Sequence, residues 1–167
     1  MKNCDPIISS ETLINRIKKG AFLTVKASDL MNTMTIGWAL VGHIWRRNVF
    51  MVAVRNSRHT FSIIEKAADF TVSLPEADMK DAIMFCGSHS GRDIDKFKAC
   101  NLTPVAAQQT ISPVLQIPGL HLECRICFKA PMDPVYLDPA FDDLYPAKDY
   151  HTLYFGDIVA CYETDTF

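Results

Sequence analysis

Two stretches of the chain set hydroxyls, imidazoles and guanidinium groups side by side where a polar turn leads into an apolar helical pattern. In Arg55-Asn56-Ser57-Arg58-His59-Thr60 a strand ends and a helix begins. Free main-chain N–H groups at a helix start, two hydroxyls and two guanidinium groups can converge there on one anion, and phosphate suits such a set. A second reading fits these residues equally well: Ser57 caps the helix and the arginines are simply solvated. Ser88-His89-Ser90-Gly91-Arg92-Asp93 repeats the arrangement ahead of a short helical run. The repetition favours a phosphorylated ligand, with His59 and His89 within its reach. His43, His121 and His151 fall in strand-like segments and read as surface or satisfied core residues, and Trp38 and Trp45 read as core.

Other chemistries lose their support. The seven glycines are scattered, with no G-x-G-x-x-G and no G-x-x-x-x-G-K, so dinucleotide and triphosphate fingerprints are missing. There is no G-x-S-x-G and no H-E-x-x-H. Cys124-Arg125-Ile126-Cys127 has C-x-x-C spacing, but Leu120, Leu122, Cys124 and Ile126 alternate with His121, Glu123 and Arg125. Period two makes this a strand, so the two thiols face opposite ways and cannot share a metal or form a redox turn. The six cysteines read as buried thiols in a chain too long to need a disulfide framework. No side chain stands out as a catalytic acid, base or nucleophile, which assigns any chemistry to a cofactor.

The elements that must position these clusters follow from periodicity. A helix over Thr12–Lys19 places Leu13, Ile14 and Ile17 on one face and stops at Gly20. Strands are expected over Ala21–Ala27, Met34–Trp45 and Val49–Arg55, with a turn at Arg46-Arg47-Asn48. A helix follows Ser57, then a strand over Phe70–Leu74 ended by Pro75, a helix over Glu76–Phe85, a loop, and a short helix over Asp93–Ala99 closed by Asn101 and Pro104. Strands over Leu120–Lys129 and His151–Tyr162 flank a Pro- and Asp-rich segment, Pro131–Asp149, which is long for a connection and reads as a lid, an arm or a mobile loop. Strands clustered in sequence indicate a mainly β fold, an antiparallel β-barrel with peripheral helices.

At 167 residues, 49% hydrophobic and 22% charged, the chain is expected to form one domain, residues 1–167, with a core of its own. Seventeen Lys and Arg against 19 Asp and Glu give a net charge of −2, so no bulk positive field exists for nucleic acid or an acidic membrane. Asp5 and Pro6 stand where a signal peptide needs apolar residues, and a cytoplasmic location is expected.

From about Gly20 to Glu163 the order of segments resembles the flavin reductase-like family of FMN-binding split barrels, and its flavoredoxin-type members in particular. Three motifs carry the likeness: Asn32-Thr33-Met34-Thr35-Ile36-Gly37-Trp38; Val54-Arg55-Asn56-Ser57-Arg58-His59-Thr60; and Phe85-Cys86-Gly87-Ser88-His89-Ser90-Gly91-Arg92-Asp93-Ile94-Asp95-Lys96-Phe97, the most specific through its run from Ser90. The resemblance implies a six-stranded Greek-key barrel that forms a homodimer, with one FMN per subunit near the dimer interface. It implies that Asn32, Thr33, Met34, Thr35, Ile36 and Trp38 line the isoalloxazine, largely through the main chain. Ser57, Arg58, His59 and Thr60 would hold the ribityl chain and phosphate, with Ser90, Gly91, Arg92 and Lys96 closing over them. Electrons would come from NADH or NADPH, or from a redox partner protein, and pass through FMN to an acceptor. The alternative is an FMN carrier or relay without reductase activity of its own. Pro131–Asp149 departs from the pattern, since many relatives have a short turn there.

Overall fold

The computed structural model describes residues 1–7 and 10–165. Helix α1 (Ser10–Ile17) buries Leu13 and Ile17, while Ile14 is left 49% exposed. Gly20, at φ +99°, turns the chain out of the helix in a conformation that favours glycine. Strand β2 (Ala21–Ala27) and β3 (Leu30–Ile36) then form a hairpin. Together with β4 (Ala39–Ile44), β3 replaces the single expected strand over Met34–Trp45, because the chain breaks at Gly37 and Trp38. β5 (Arg47–Arg55) returns from β4 through a two-residue turn at Trp45 and Arg46, both at positive φ. That backbone matches the twist of a tight hairpin, and it puts the turn one residue earlier than expected.

The short helix α2 (His59–Ile64) leads to β6 (Asp69–Pro75), then α3 (Lys80–Ser88) and α4 (Lys96–Ala99). Two long strands, β9 (Gly119–Pro131) and β10 (His151–Thr164), complete the sheet, with short pairings at β1 (Lys2–Asn3) and between β7 (Pro104–Val105) and β8 (Val114–Leu115). The main sheet is antiparallel throughout, in the order β3-β2-β6-β9-β10-β5-β4, with β1 added to β10. Among the described residues the hydrogen-bonded sheet has eight strands, against the six expected, and it ends at β3 and β4 without closing.

One core cluster draws side chains from β2, β3, β5, β6, β9 and β10 together with α1 and α2, including Leu23, Val52, Phe70, Leu122 and Tyr154. A second, smaller cluster packs Phe22, Cys86, Leu102, Leu115 and Ile117 beneath α3 and α4. The two tryptophans are not in either. Trp38 is 45% and Trp45 54% exposed, since both lie at strand breaks where the pleat no longer points them inward. Nor are all cysteines buried: Cys127 is exposed and Cys4 and Cys100 are intermediate. Cys124 is buried while Cys127 is exposed, as period two requires. Among the described residues no helix is long and apolar enough to cross a membrane.

Candidate flavin site at the edge of the sheet

Strand β3 is an edge strand, so one row of its main-chain N–H and C=O groups has no ladder partner. The carboxyl half of β3 and the break after it line a depression of about 160 Å³, formed by Met34, Thr35, Ile36, Gly37, Trp38, Ala53, Arg55, Arg58 and His151. Five consecutive residues on one wall point alternately in and out, so the main chain itself forms much of that wall. A second depression of about 120 Å³ adjoins it, sharing Met34 and Arg58 and adding Asn32, Ser57, His59, Thr60, Ser90, Gly91, Arg92 and Lys96 among others.

Of the fourteen residues expected from the sequence, thirteen therefore line these two depressions. Thr33 does not. Its side chain is fully buried and donates to the Leu23 carbonyl at 3.3 Å, because it lies on the opposite face of β3 from Asn32 and Met34. Only its main chain can contribute to the edge.

The cations are held in an unusual way. Arg58 donates to the Gly87 carbonyl at 2.9 Å, and Lys96 donates to the Cys86 carbonyl at 2.7 Å. Both acceptors belong to the last turn of α3, where carbonyls lack helical partners and the helix dipole is negative. Arg92 donates to the Ser57 carbonyl at 3.2 Å. Among the described residues none of Arg55, Arg58, Arg92 and Lys96 pairs with a carboxylate. Their charge is positioned by neutral carbonyls and stays available to an anion. Lys96 is only 4% exposed, and burial, with a contribution from Arg58, lowers its pKa. The pKa of His59 is also lowered, by burial first and then by Arg92 and Lys96, which favours the neutral imidazole.

Gly91 lets the two arms meet. A Cβ built there would stand 2.2 Å from Asn32 Oδ1 and 2.9 Å from His59 Cδ2, so any side chain would displace them. Asn32 in turn donates to Thr60 Oγ1 at 2.8 Å, which ties β3 to α2. Ser57 does not cap α2: Arg58 is the N-cap residue and no side chain caps the helix. Both the N–H and the hydroxyl of Ser57 instead donate to the Asp149 carboxylate, at 3.2 and 2.5 Å.

That contact comes from the segment between β9 and β10, which forms two 3-10 turns, Pro134–Tyr136 and Pro139–Leu144, and then straps back over the site. Arg55 pins it by donating to the Leu144 and Asp149 carbonyls, each at 2.9 Å, with its guanidinium 5.0 Å from the Tyr145 ring centre and 6.0 Å from that of Trp38. The Tyr145 hydroxyl and His151 Nδ1 are 2.9 Å apart, and the His151 ring packs 4.9 Å from Trp38. Burial, with Arg55 next, lowers the His151 pKa to about 4, so it is neutral at physiological pH.

Sequence reasoning missed Ala53 and His151 at the ring end and Cys86 at the other. His151 lies directly across from Arg55 in the β10–β5 ladder. That pairing joins positions far apart in the chain, and no local pattern announces it.

The chain matches the family model described as "Flavin reductase like domain" over residues 18–166. An uncharacterized protein of Archaeoglobus fulgidus is 28% identical over 105 residues, which is 63% of this chain and 59% of that one. The chain thus spans little more than half the length of that curated relative. Among solved structures, flavoredoxin of Desulfovibrio vulgaris (Miyazaki F) superposes with a TM-score of 0.69 at 19% identity, covering 87% of this chain and 69% of that one. The FMN-binding protein from Thermus thermophilus with bound 1-cyclohex-2-enone gives 0.68 at 24%, covering 86% and 69%. A family match over nearly the whole chain, on a sheet superposable with a flavoredoxin, makes this protein a member of the flavin reductase-like family.

Proposed function

We propose that the protein is an FMN-dependent oxidoreductase that moves electrons from NADH or NADPH, or from a redox partner protein, through FMN to an acceptor. One observation carries the reading: Arg58, Arg92 and Lys96 gather at one end of a trough without a carboxylate partner among the described residues, and the other end is walled by an edge strand's main chain beside an aromatic ring. A phosphate fits the first end and a flat heterocycle with hydrogen-bonding edges fits the second. FMN, when bound, supplies the hydride and electron chemistry.

In this reading Asn32, Met34, Thr35, Ile36 and Trp38, with the Thr33 main chain, flank the ring system. Ser57, Arg58, His59 and Thr60 hold the ribityl and phosphate groups, and Ser90, Gly91, Arg92 and Lys96 close the phosphate end. Arg55 and Arg58 beside the ring pocket favour the more negative, reduced form of whatever ring lies there. Neutral His151 adds hydrogen-bonding capacity without charge.

The two depressions are small against the roughly 300–1,000 Å³ of ordinary ligand pockets. A flavin seated in them keeps part of its surface outside the chain, and a second subunit would cover it. A homodimer is supported further by exposed apolar side chains on β4 and its turn, Leu40 at 64%, Ile44 at 44% and Trp45 at 54%. Within the proposal, residues 1–167 are one cytoplasmic domain, and the six strands that feed the main core, β2, β3, β5, β6, β9 and β10, form the Greek-key split barrel.

The strap over the ring end favours one competing reading. By closing the approach beside Trp38 and His151 it would hinder a nicotinamide, which suits an FMN carrier or an electron relay fed by another protein. Visible absorbance of protein purified without added cofactor, followed anaerobically on adding NADH and then NADPH, separates the two. Flavin bands that bleach establish the reductase and its donor. Bands that persist favour the carrier or relay. No flavin bands after incubation with FMN would overturn the assignment.

A further inference from the structure

Cys86 and Cys100 have their sulfurs 3.9 Å apart, and no step proposed above uses either of them. Cys86 lies in the last turns of α3 and is 1% exposed, and its carbonyl is the one that receives Lys96. Cys100 caps the carboxyl end of α4 and is partly exposed. Between them runs the whole arm that carries Ser90, Gly91, Arg92 and Lys96. We propose that Cys86 and Cys100 form a reversible disulfide that closes residues 86–100 into a ring and fixes this cation-bearing arm.

The geometry asks little. The sulfurs need to approach by about 2 Å to reach the bonded distance of ~2.05 Å, and both side chains pack in the same small apolar cluster. The oxidant is a small-molecule disulfide. Cys100, being accessible, attacks one of its sulfurs as the thiolate and expels one small thiol, leaving a mixed disulfide. The Cys86 thiol then attacks Cys100 Sγ, and its proton passes to the departing sulfur as the second small thiol leaves. Two electrons leave the protein thiols and reduce one small disulfide to two thiols. Burial first, and then the neighbouring Cys100 sulfur, push the Cys86 thiol up to about 12, against which the Lys96 ammonium acts only in small part, so the second step is the slower one. Once formed, the bridge removes conformations open to the arm when it detaches from β3, so local opening is suppressed.

The test uses the full chain, first reduced and then incubated natively with glutathione disulfide. After alkylation it is digested without reduction by trypsin and then chymotrypsin, since trypsin alone leaves Cys100 and Cys124 on one fragment. The expected result is a fragment pair joined through Cys86 and Cys100, absent from Cys100→Ser. Amide hydrogen exchange over Ser90 to Lys96 should slow several-fold in the oxidised wild type and not in the variant. Both cysteines alkylated, Cys100 carrying only glutathione, or either one joined to a different cysteine would overturn the proposal. A correct bridge with unchanged exchange would overturn the fixing of the arm. Neither readout depends on flavin, so failure here leaves the oxidoreductase proposal standing, and the reverse holds.

Discussion

Arg58 and Arg92 reach the cation-rich end of the trough from opposite arms, and each is anchored by a carbonyl of the other arm's neighbourhood. Replacing either by alanine removes a charge-assisted donor and should weaken FMN binding by about 1–3 kcal/mol. Titration of apoprotein with FMN measures this, and unchanged curves for both variants would remove these residues from the site. A second residue-scale effect concerns His121, which is fully buried, faces Ser73 Oγ and the Ile117 carbonyl, and has a pKa lowered by burial to about 4. The unfolded chain binds that proton near pH 6.5 and the folded chain only near pH 4. The unfolded state therefore holds more protons in that window, so stability is full above it and falls as pH drops through it, by up to about 3 kcal/mol for this one group. Denaturant titrations across the window should show the decline, shallower in His121→Gln than in wild type.

At the scale of elements, the strap between β9 and β10 is fastened at its far end, through Arg55, Tyr145 and Asp149. Its tip, with Val135 73% and Tyr136 88% exposed, carries little of the fold. Deleting the 3-10 turn around Asp138 to Asp142 should leave the far-UV spectrum of the sheet intact while changing turnover or the choice of redox partner. Identical kinetics and identical dimerisation after the deletion would show the strap to be idle. The same fastening explains how a proline-rich connection holds one shape: Asp133 and Asp138 cap the two turns by accepting from Val135 N–H and Ala140 N–H.

For the whole molecule, the open question of assembly falls on an apolar groove of about 530 Å³ between α1 and the β4–β5 hairpin, lined by Ile14, Leu40, Val41 and Met51 among others. The proposed homodimer buries this face. Leu40→Glu puts a charge in its middle and should shift the sedimentation profile from dimer to monomer while leaving the core untouched, since Leu40 is 64% exposed in the single chain. A wild-type protein that sediments as a monomer at all concentrations would refute the dimer.

Much of this protein was legible from its residues. Strand-forming composition marked β2, and period-two alternation placed Cys124 and Cys127 on opposite faces, because the pleat is local and repeats every second residue. Gly20 announced the end of α1, and residue type and spacing alone singled out the two cation clusters. Motif resemblance then joined those clusters to Asn32–Trp38, and every named residue except Thr33 lines the trough between them; the direction of Thr33 depends on which face β3 turns to the core. What sequence could not provide was decided by pairings between distant segments. The break at Gly37 and Trp38 follows from where β4 must cross to meet β5, the strap's hold on Arg55 follows from His151 lying opposite it in the β10–β5 ladder, and the carbonyls that steady Arg58 and Lys96 become available only where α3 ends against their side chains. Local patterning encodes the faces of each element, whereas the charges and walls of the site arise from contacts across the chain that exist only once the sheet has assembled.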